Sequence, residues 1–251
     1  MSGTIALHGG GEFLPGDEAF LAAWLRAAGR DREGADAAAP VRVVVLPTAA
    51  ARGRPDLAAA NGVGAIERVA ASLGLVSAVS HVAVLDRASA DDPALAEQIA
   101  SADAIHLPGG DPDIIPAVIA GTATCSAMRA ALGEGAALAG ASAGAMALAA
   151  WTWTGAGGTR GLDLLPGPPI VVMPHADAAT WQQALLRCGQ GIPAGVGILG
   201  IGERTGVLVD PGSVAAWRVV GEREVRWSPA GSDPTRPRVY SDGEAFWPVG
   251  R

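Results

Sequence analysis

The chain has 251 residues and a formal net charge of −7, and its 18 basic residues are all arginine. An acidic chain without a basic stripe is a poor partner for nucleic acid or an anionic membrane surface. The absence of lysine excludes Schiff-base chemistry and a lysine-bearing phosphate loop. Apolar residues make up 49% of the chain, enough to bury a sizeable core, and the 35 glycines recur at no fixed period.

Residues 4–8 read as a short buried strand ending in Gly9-Gly10-Gly11. Residues 19–28 place Phe20, Ala23, Trp24 and Ala27 at helical spacing, and residues 30–40 read as a loop. A β-branched run over 41–46, closed by Pro47, predicts the clearest strand. A helix is expected over 56–73, a third strand over 82–85, and a helix over 93–100 with Pro93 in its first turn. A fourth strand over 104–107 leads into Pro108-Gly109-Gly110-Asp111, two short helices follow at 114–120 and 126–132, and a fifth strand covers 136–139. Residues 151–169, rich in glycine, proline and tryptophan without periodicity, read as a long loop. Then come a strand at 170–173, a helix at 180–188 and a strand at 196–201. A hairpin is expected from 205–209 and 214–220 around Asp210-Pro211-Gly212, extended by 222–227. The proline-bearing tail from Ser228 predicts irregular structure.

Strands alternating with helices imply crossover units and a mostly parallel sheet. Continuous apolar strands are expected where both sheet faces are covered. The fold expected is α/β, a three-layer sandwich with helices on a flavodoxin-like sheet and a C-terminal β-hairpin elaboration. One domain is expected over 1–251, with a core of about 4–210 and an extension of about 211–251. Cys125 and Cys188 form no disulfide framework and no metal spacing, and default to small buried hydrophobes. The N-terminus shows no signal-peptide pattern and no apolar run reaches spanning length, so a cytoplasmic protein is expected.

The strongest chemical signal is Gly140-Ala141-Ser142-Ala143-Gly144, set between an apolar strand and a helix-like run. That is the context of a nucleophile elbow, in which a sharp turn lifts the serine hydroxyl to the sheet edge. The Ala143 N–H can then donate to an oxyanion. Such a serine needs a base. The four histidines are His8, His81, His106 and His175. His175, after an apolar strand and downstream of Ser142, is the first choice, and His8 at a strand end is the second. Candidates for the acid that orients the base are Asp163, Asp177, Glu203 and Asp210. Asp177 is close to His175 in sequence, and the order Ser142, His175, Glu203 fits the strand ends best.

These blocks resemble the serine peptidases that include dipeptidase E and cyanophycinase, whose domain is like a class I glutamine amidotransferase with serine in place of cysteine. The resemblance rests on Gly9-Gly10-Gly11-Glu12, Leu107-Pro-Gly-Gly-Asp111, Gly140-Ala-Ser-Ala-Gly144, His175 and Gly200-Ile-Gly-Glu-Arg-Thr205, in that order. It implies that Ser142 attacks the scissile carbonyl, His175 shuttles the proton, Glu203 holds His175, and Gly110 and Ala143 form the oxyanion hole. It further implies that Asp111, Gly10 and Gly11 contribute to substrate binding. Two departures stand out. Pro112 follows Gly-Gly-Asp where cyanophycinase-like members carry a polar residue, and no arginine follows His175 before Arg187. The resemblance therefore carries the hydrolytic core further than the recognition of an acidic substrate.

The function expected is a serine peptidase acting on short peptides or related amides through a covalent acyl-enzyme. The alternatives are an esterase or amidase on a non-peptide substrate, and a non-catalytic binding domain that keeps the fold. No cofactor and no metal site are expected, the partner is a small peptide or amide, and a homodimer is one assembly such a chain can form. Glu12 reads as structural or exposed, with a part in shaping the site as the alternative, and Trp151 and Trp153 as pocket-lining or loop-packing residues.

Overall fold

The structure is a computed structural model that describes residues 3–29, 39–188, 191–209 and 216–248. Up to residue 148 it runs β1 (Ile5–His8), α1 (Glu18–Ala28), β2 (Val41–Val45), α2 (Pro55–Ser72), β3 (Ser77–His81), α3 (Arg87–Ala90), α4 (Pro93–Ala100), β4 (Ala104–Leu107), α5 (Ile114–Ile119), α6 (Ala123–Gly133), β5 (Ala137–Ala141) and α7 (Ala143–Leu148). The rest is mainly strand: β6 (Trp151–Thr154), β7 (Gly157–Arg160), β8 (Ile170–Met173), α8 (Ala178–Cys188), β9 (Gly197–Ile201), β10 (Thr205–Val209), β11 (Trp217–Gly221), β12 (Val225–Ser228), β13 (Arg238–Tyr240) and β14 (Ala245–Phe246).

An eight-stranded sheet has the order β14-β11-β10-β1-β5-β4-β2-β3. Its β1, β5, β4, β2 and β3 are mutually parallel, and β10, β11 and β14 add antiparallel strands on one side. Apolar side chains leave both faces, which is why the strands read as continuous runs. Ala6, Val43, Val45, Ala104 and Ala139 pack with Phe20, Trp24 and Ile66 of α1 and α2. Ile5, Leu7, Val44, Ile105 and Leu138 pack with Ile115, Met128 and Leu148 of α5, α6 and α7. The expected α/β sandwich is thus the fold observed. Parallel strands deliver their carboxyl ends, and the turns that follow them, to one edge.

Four expectations need correction. The third strand is Ser77–His81, not residues 82–85. It is an edge strand with a half-exposed pattern, so it lacks an apolar run, whereas Val82 and Val84 are buried because the chain turns there over the sheet end. Residues 151–160 form a hairpin rather than a loop. Gly158 makes room for tryptophan: a Cβ there would lie 2.8 Å from the Trp151 ring. Residues 225–228 leave the β10–β11 hairpin and pair with β9 in a second, six-stranded sheet of order β13-β12-β9-β8-β6-β7. The tail is not wholly irregular, since β13 and β14 each join a sheet, and Phe246 is anchored in a cluster with Trp217 and Trp227. Most of the loop expected over 30–40, the turn at Asp210-Pro211-Gly212 and the start of the strand at Val214 lie outside the described residues. Among the described residues, no helix is long and apolar enough to cross a membrane.

His106, at the end of β4, is fully buried between the rings of Phe13 and Trp24, with centroids 5.2 and 5.4 Å away. Neither ring nitrogen has a hydrogen-bond partner among the described residues. Burial pushes its pKa down to about 3, outweighing the nearby Asp17 carboxylate, which pulls the other way. The folded protein therefore keeps His106 neutral at pH values where the unfolded chain, with an ordinary pKa of about 6.5, takes up a proton. Stability is lost as pH falls from about 6.5 toward 3, by roughly 1.4 kcal/mol per pH unit from this residue. Replacing it by leucine should narrow the stability difference between pH 7 and pH 4.5 by about 2–3 kcal/mol in urea titrations. An unchanged difference would contradict this.

Candidate active site

Ser142 occupies the turn from β5 into α7 with φ 47° and ψ −112°, a conformation L-residues rarely hold. Surrounding backbone enforces it. The Ser142 N–H donates to the His8 carbonyl at 2.9 Å, and the Ser142 carbonyl accepts from Met146 N–H at 3.0 Å. The flanking glycines are demanded by contact: a Cβ on Gly140 would lie 2.6 Å from the Gly144 carbonyl carbon, and one on Gly144 would lie 2.1 Å from the Leu107 oxygen. Strand, tight turn and helix can cross at this distance only without side chains there.

His175 reaches the same rim from the end of β8, again with positive φ (54°). Its N–H donates to the Gly9 carbonyl at 2.7 Å, and the next N–H, of Ala176, to the Ile201 carbonyl at 3.0 Å. Glu203 lies in the turn between β9 and β10, and the adjoining Arg204 N–H donates to the Gly10 carbonyl at 2.8 Å. Three turns that are distant in sequence are thus bonded to one another by backbone.

The side chains follow. Ser142 Oγ is 3.0 Å from His175 Nε2, and His175 Nδ1 is 2.9 Å from Glu203 Oε1. The carboxylate can only accept, so Nδ1 carries the proton toward Glu203 and Nε2 is free to accept from the serine hydroxyl. The arrangement is open: the side chains of His175 and Glu203 are 48% and 49% exposed. Gly10 supports it from behind, because a Cβ there would come within 2.2 Å of the His175 ring, and Gly11 lies beside Glu203 and Arg204.

The turn after β4 completes the rim. Asp111 is half-buried and engaged at both oxygens, accepting from Asp113 N–H at 2.9 Å and meeting Arg52 Nη1 at 3.3 Å. The N–H groups of Gly110 and Ala143 have no partner among the described residues and belong to turns that meet at Ser142.

The other candidates fall elsewhere. His8 faces the α1 side, where its Nε2 meets Asp17 Oδ1 at 2.8 Å and its Nδ1 accepts from Gly10 N–H. It supports the glycine turn rather than facing the serine. Asp177 opens α8, its carbonyl accepting from Thr180 and Trp181 N–H, and Asp163 sits under the β6–β7 hairpin, its N–H bonded to the Ala149 carbonyl. Among the described residues neither makes a hydrogen bond or ion pair with the His175 ring, and Asp210 lies outside them. Sequence reasoning missed the contact between Glu12 and Gly109 N–H, at 2.7 Å. It also missed the tie from Asp113 to Gly155 N–H, at 2.6 Å, that holds the hairpin tip near the site. A polar residue directly after a glycine turn at a strand end was the available signal for Glu12. Among the described residues, no group of three or more His, Cys, Asp or Glu is arranged to hold a metal ion.

The comparisons with known proteins bear on this geometry. No curated protein sequence matches the chain. Among solved structures, a peptidase from an acI-B1 Actinobacterium is similar in fold, with TM-score 0.79 and 23% identity, over 98% of this chain and 97% of that one. A protein described as a peptidase E from Listeria monocytogenes EGD-e is more distant, with TM-score 0.56 and 14% identity, over 88% of this chain and 98% of that one. The profile of peptidase family S51 matches residues 35–213, a span that takes in the elbow at Ser142, His175 and the turn bearing Glu203. The chain belongs to peptidase family S51 and is a serine-type peptidase.

Proposed function

We propose that the enzyme cleaves short peptides through a Ser142–His175–Glu203 triad and a covalent acyl-enzyme. The observation that carries this reading is the continuous chain of contacts Oγ···Nε2 at 3.0 Å and Nδ1···Oε1 at 2.9 Å. As Ser142 Oγ attacks the scissile carbonyl carbon, its proton passes to His175 Nε2, and Glu203 stabilises the imidazolium that forms. The carbonyl oxygen becomes an oxyanion held by the N–H groups of Gly110 and Ala143. Collapse of this intermediate breaks the C–N bond, and the leaving amine takes the proton from Nε2. A water, deprotonated by the same nitrogen, then releases the acyl group as a free acid and restores the serine. The same reading treats residues 1–251 as one peptidase domain, supported by an apolar cluster that runs from Ile5 to Phe246.

The test is acid-quenched mass spectrometry during turnover of an activated ester, together with a panel of short peptides. An acyl adduct on Ser142 and hydrolysis of at least one peptide are expected. A folded enzyme that hydrolyses peptides without any adduct would overturn the acyl-enzyme route. The support from Gly10 gives a second check. Gly10→Ala places a methyl where the His175 ring lies, at a φ of 112°. Displacing the base by this much should cost about 100-fold in kcat, with the fold retained by circular dichroism. Unchanged kcat would argue against His175 acting from its observed position.

A further inference from the structure

We infer that Glu12 is a positioning residue that sets the oxyanion-binding turn, an inference that rests on the catalytic reading above. The Leu107-Pro108-Gly109-Gly110-Asp111 turn is clamped on both sides of its central amide. Glu12 Oε1 accepts the Gly109 N–H at 2.7 Å, and the Ala49 carbonyl accepts the Asp111 N–H at 2.8 Å. Gly110 is held between them at φ 153°, so close to Ala49 that a Cβ would lie 2.4 Å from its oxygen. Only the Gly110 N–H is left without a partner in this turn among the described residues.

The clamp is also next to the nucleophile. The point where a Cβ of Gly109 would sit is 2.5 Å from Glu12 Oε1 and 3.0 Å from Ser142 Cβ. A hydrogen bond from an amide to a carboxylate is roughly twice as strong as one to a neutral acceptor. It therefore fixes the Pro108–Gly109 peptide plane, as the Ala49 bond fixes the Gly110–Asp111 plane, and the Gly109–Gly110 plane between these two takes from them the aim of the Gly110 N–H. Preorganisation of this kind is what makes an oxyanion donor effective, because nothing has to turn when charge develops. Glu12 acts here through Gly109 and Gly110, not by touching the substrate.

Three variants test this: Glu12→Gln, Glu12→Ala and Glu12→Asp. Glutamine keeps an oxygen at the same reach, so kcat should stay within about threefold of wild type. Alanine removes the acceptor and aspartate falls one methylene short, so both should lower kcat by about 10–100-fold. KM should change by less than about threefold in all three, since the turn is needed for the transition state more than for binding. Independently of activity, the Gly109 amide should exchange with deuterium at least about tenfold faster in Glu12→Ala and Glu12→Asp than in wild type or Glu12→Gln. An active wild type whose Glu12→Ala variant is equally active, with Gly109 exchange unchanged, would overturn the role of Glu12 alone. A rise in KM in Glu12→Gln with unchanged Gly109 exchange would overturn it in favour of a carboxylate that binds the substrate's ammonium group. A wild type with no peptide turnover and no acylation at Ser142 would instead overturn the catalytic reading on which the inference rests.

Discussion

Ser142→Ala is expected to lower kcat/KM for a peptide substrate by about 10⁴-fold or more, with the thermal transition essentially in place. The two halves of this expectation have separate causes. Removing Oγ deletes the atom that forms the acyl bond in the proposed mechanism, and no other hydroxyl is within hydrogen-bond reach of His175 Nε2 among the described residues. The backbone that holds the elbow is untouched, since the N–H of residue 142 still donates to the His8 carbonyl and its carbonyl still accepts from Met146. Alanine also keeps the Cβ that already occupies this positive-φ position. The residual rate should be the one supported by the oxyanion donors and substrate binding alone. Steady-state kinetics beside a melting curve checks both halves, and a variant that keeps more than about a tenth of wild-type activity would contradict them.

Glu203→Gln should lower kcat by about 10³-fold and change stability by less than about 1 kcal/mol. The amide is the same size but uncharged. It no longer stabilises an imidazolium, and its NH₂ group can present a donor to Nδ1, favouring the wrong tautomer. Where the equivalent acid is buried, the loss is about 10⁴-fold. Glu203 is 49% exposed, so water can take over part of its role, and the smaller figure is expected here. The same exposure explains the small effect on stability: a half-solvated contact at 2.9 Å contributes little to folding. Single-turnover acylation should slow in parallel with kcat. Loss of stability without loss of acylation would mean that Glu203 serves the turn between β9 and β10 rather than the histidine.

What could be read from the residues and what could not follow from where the information resides. The strands β1, β2, β4, β5, β8 and β9 have short apolar runs because they are covered on both faces, and such runs are visible without knowledge of their neighbours. The elbow was legible for a related reason, since its glycines answer local crowding within a few residues of Ser142. The β6–β7 hairpin was not, because Gly158 answers to an indole ring across the strand pair, a contact that the local sequence does not show. β3 was displaced in the reading because an edge strand needs no apolar pattern, while the loop after it, being buried, has one. The departure of β12 for the second sheet depends on its pairing with β9, a contact between segments on either side of the β10–β11 hairpin. Ser142, His175 and Glu203 were each reachable from their places at strand ends. The contacts of Gly10 with the His175 ring, of Glu12 with the Gly109 N–H and of Asp17 with His8 were not, because each is a tertiary contact.

In the proposed mechanism Ser142 is an activated nucleophile served by His175. Intact-mass analysis after treatment with a fluorophosphonate probe tests it most directly, on wild type, Ser142→Ala and His175→Ala. One adduct mapped to Ser142 in the wild type and absent from both folded variants is the predicted result. An adduct on another residue, equal labelling of His175→Ala, or a folded wild type that hydrolyses peptides yet takes up no probe would contradict the account.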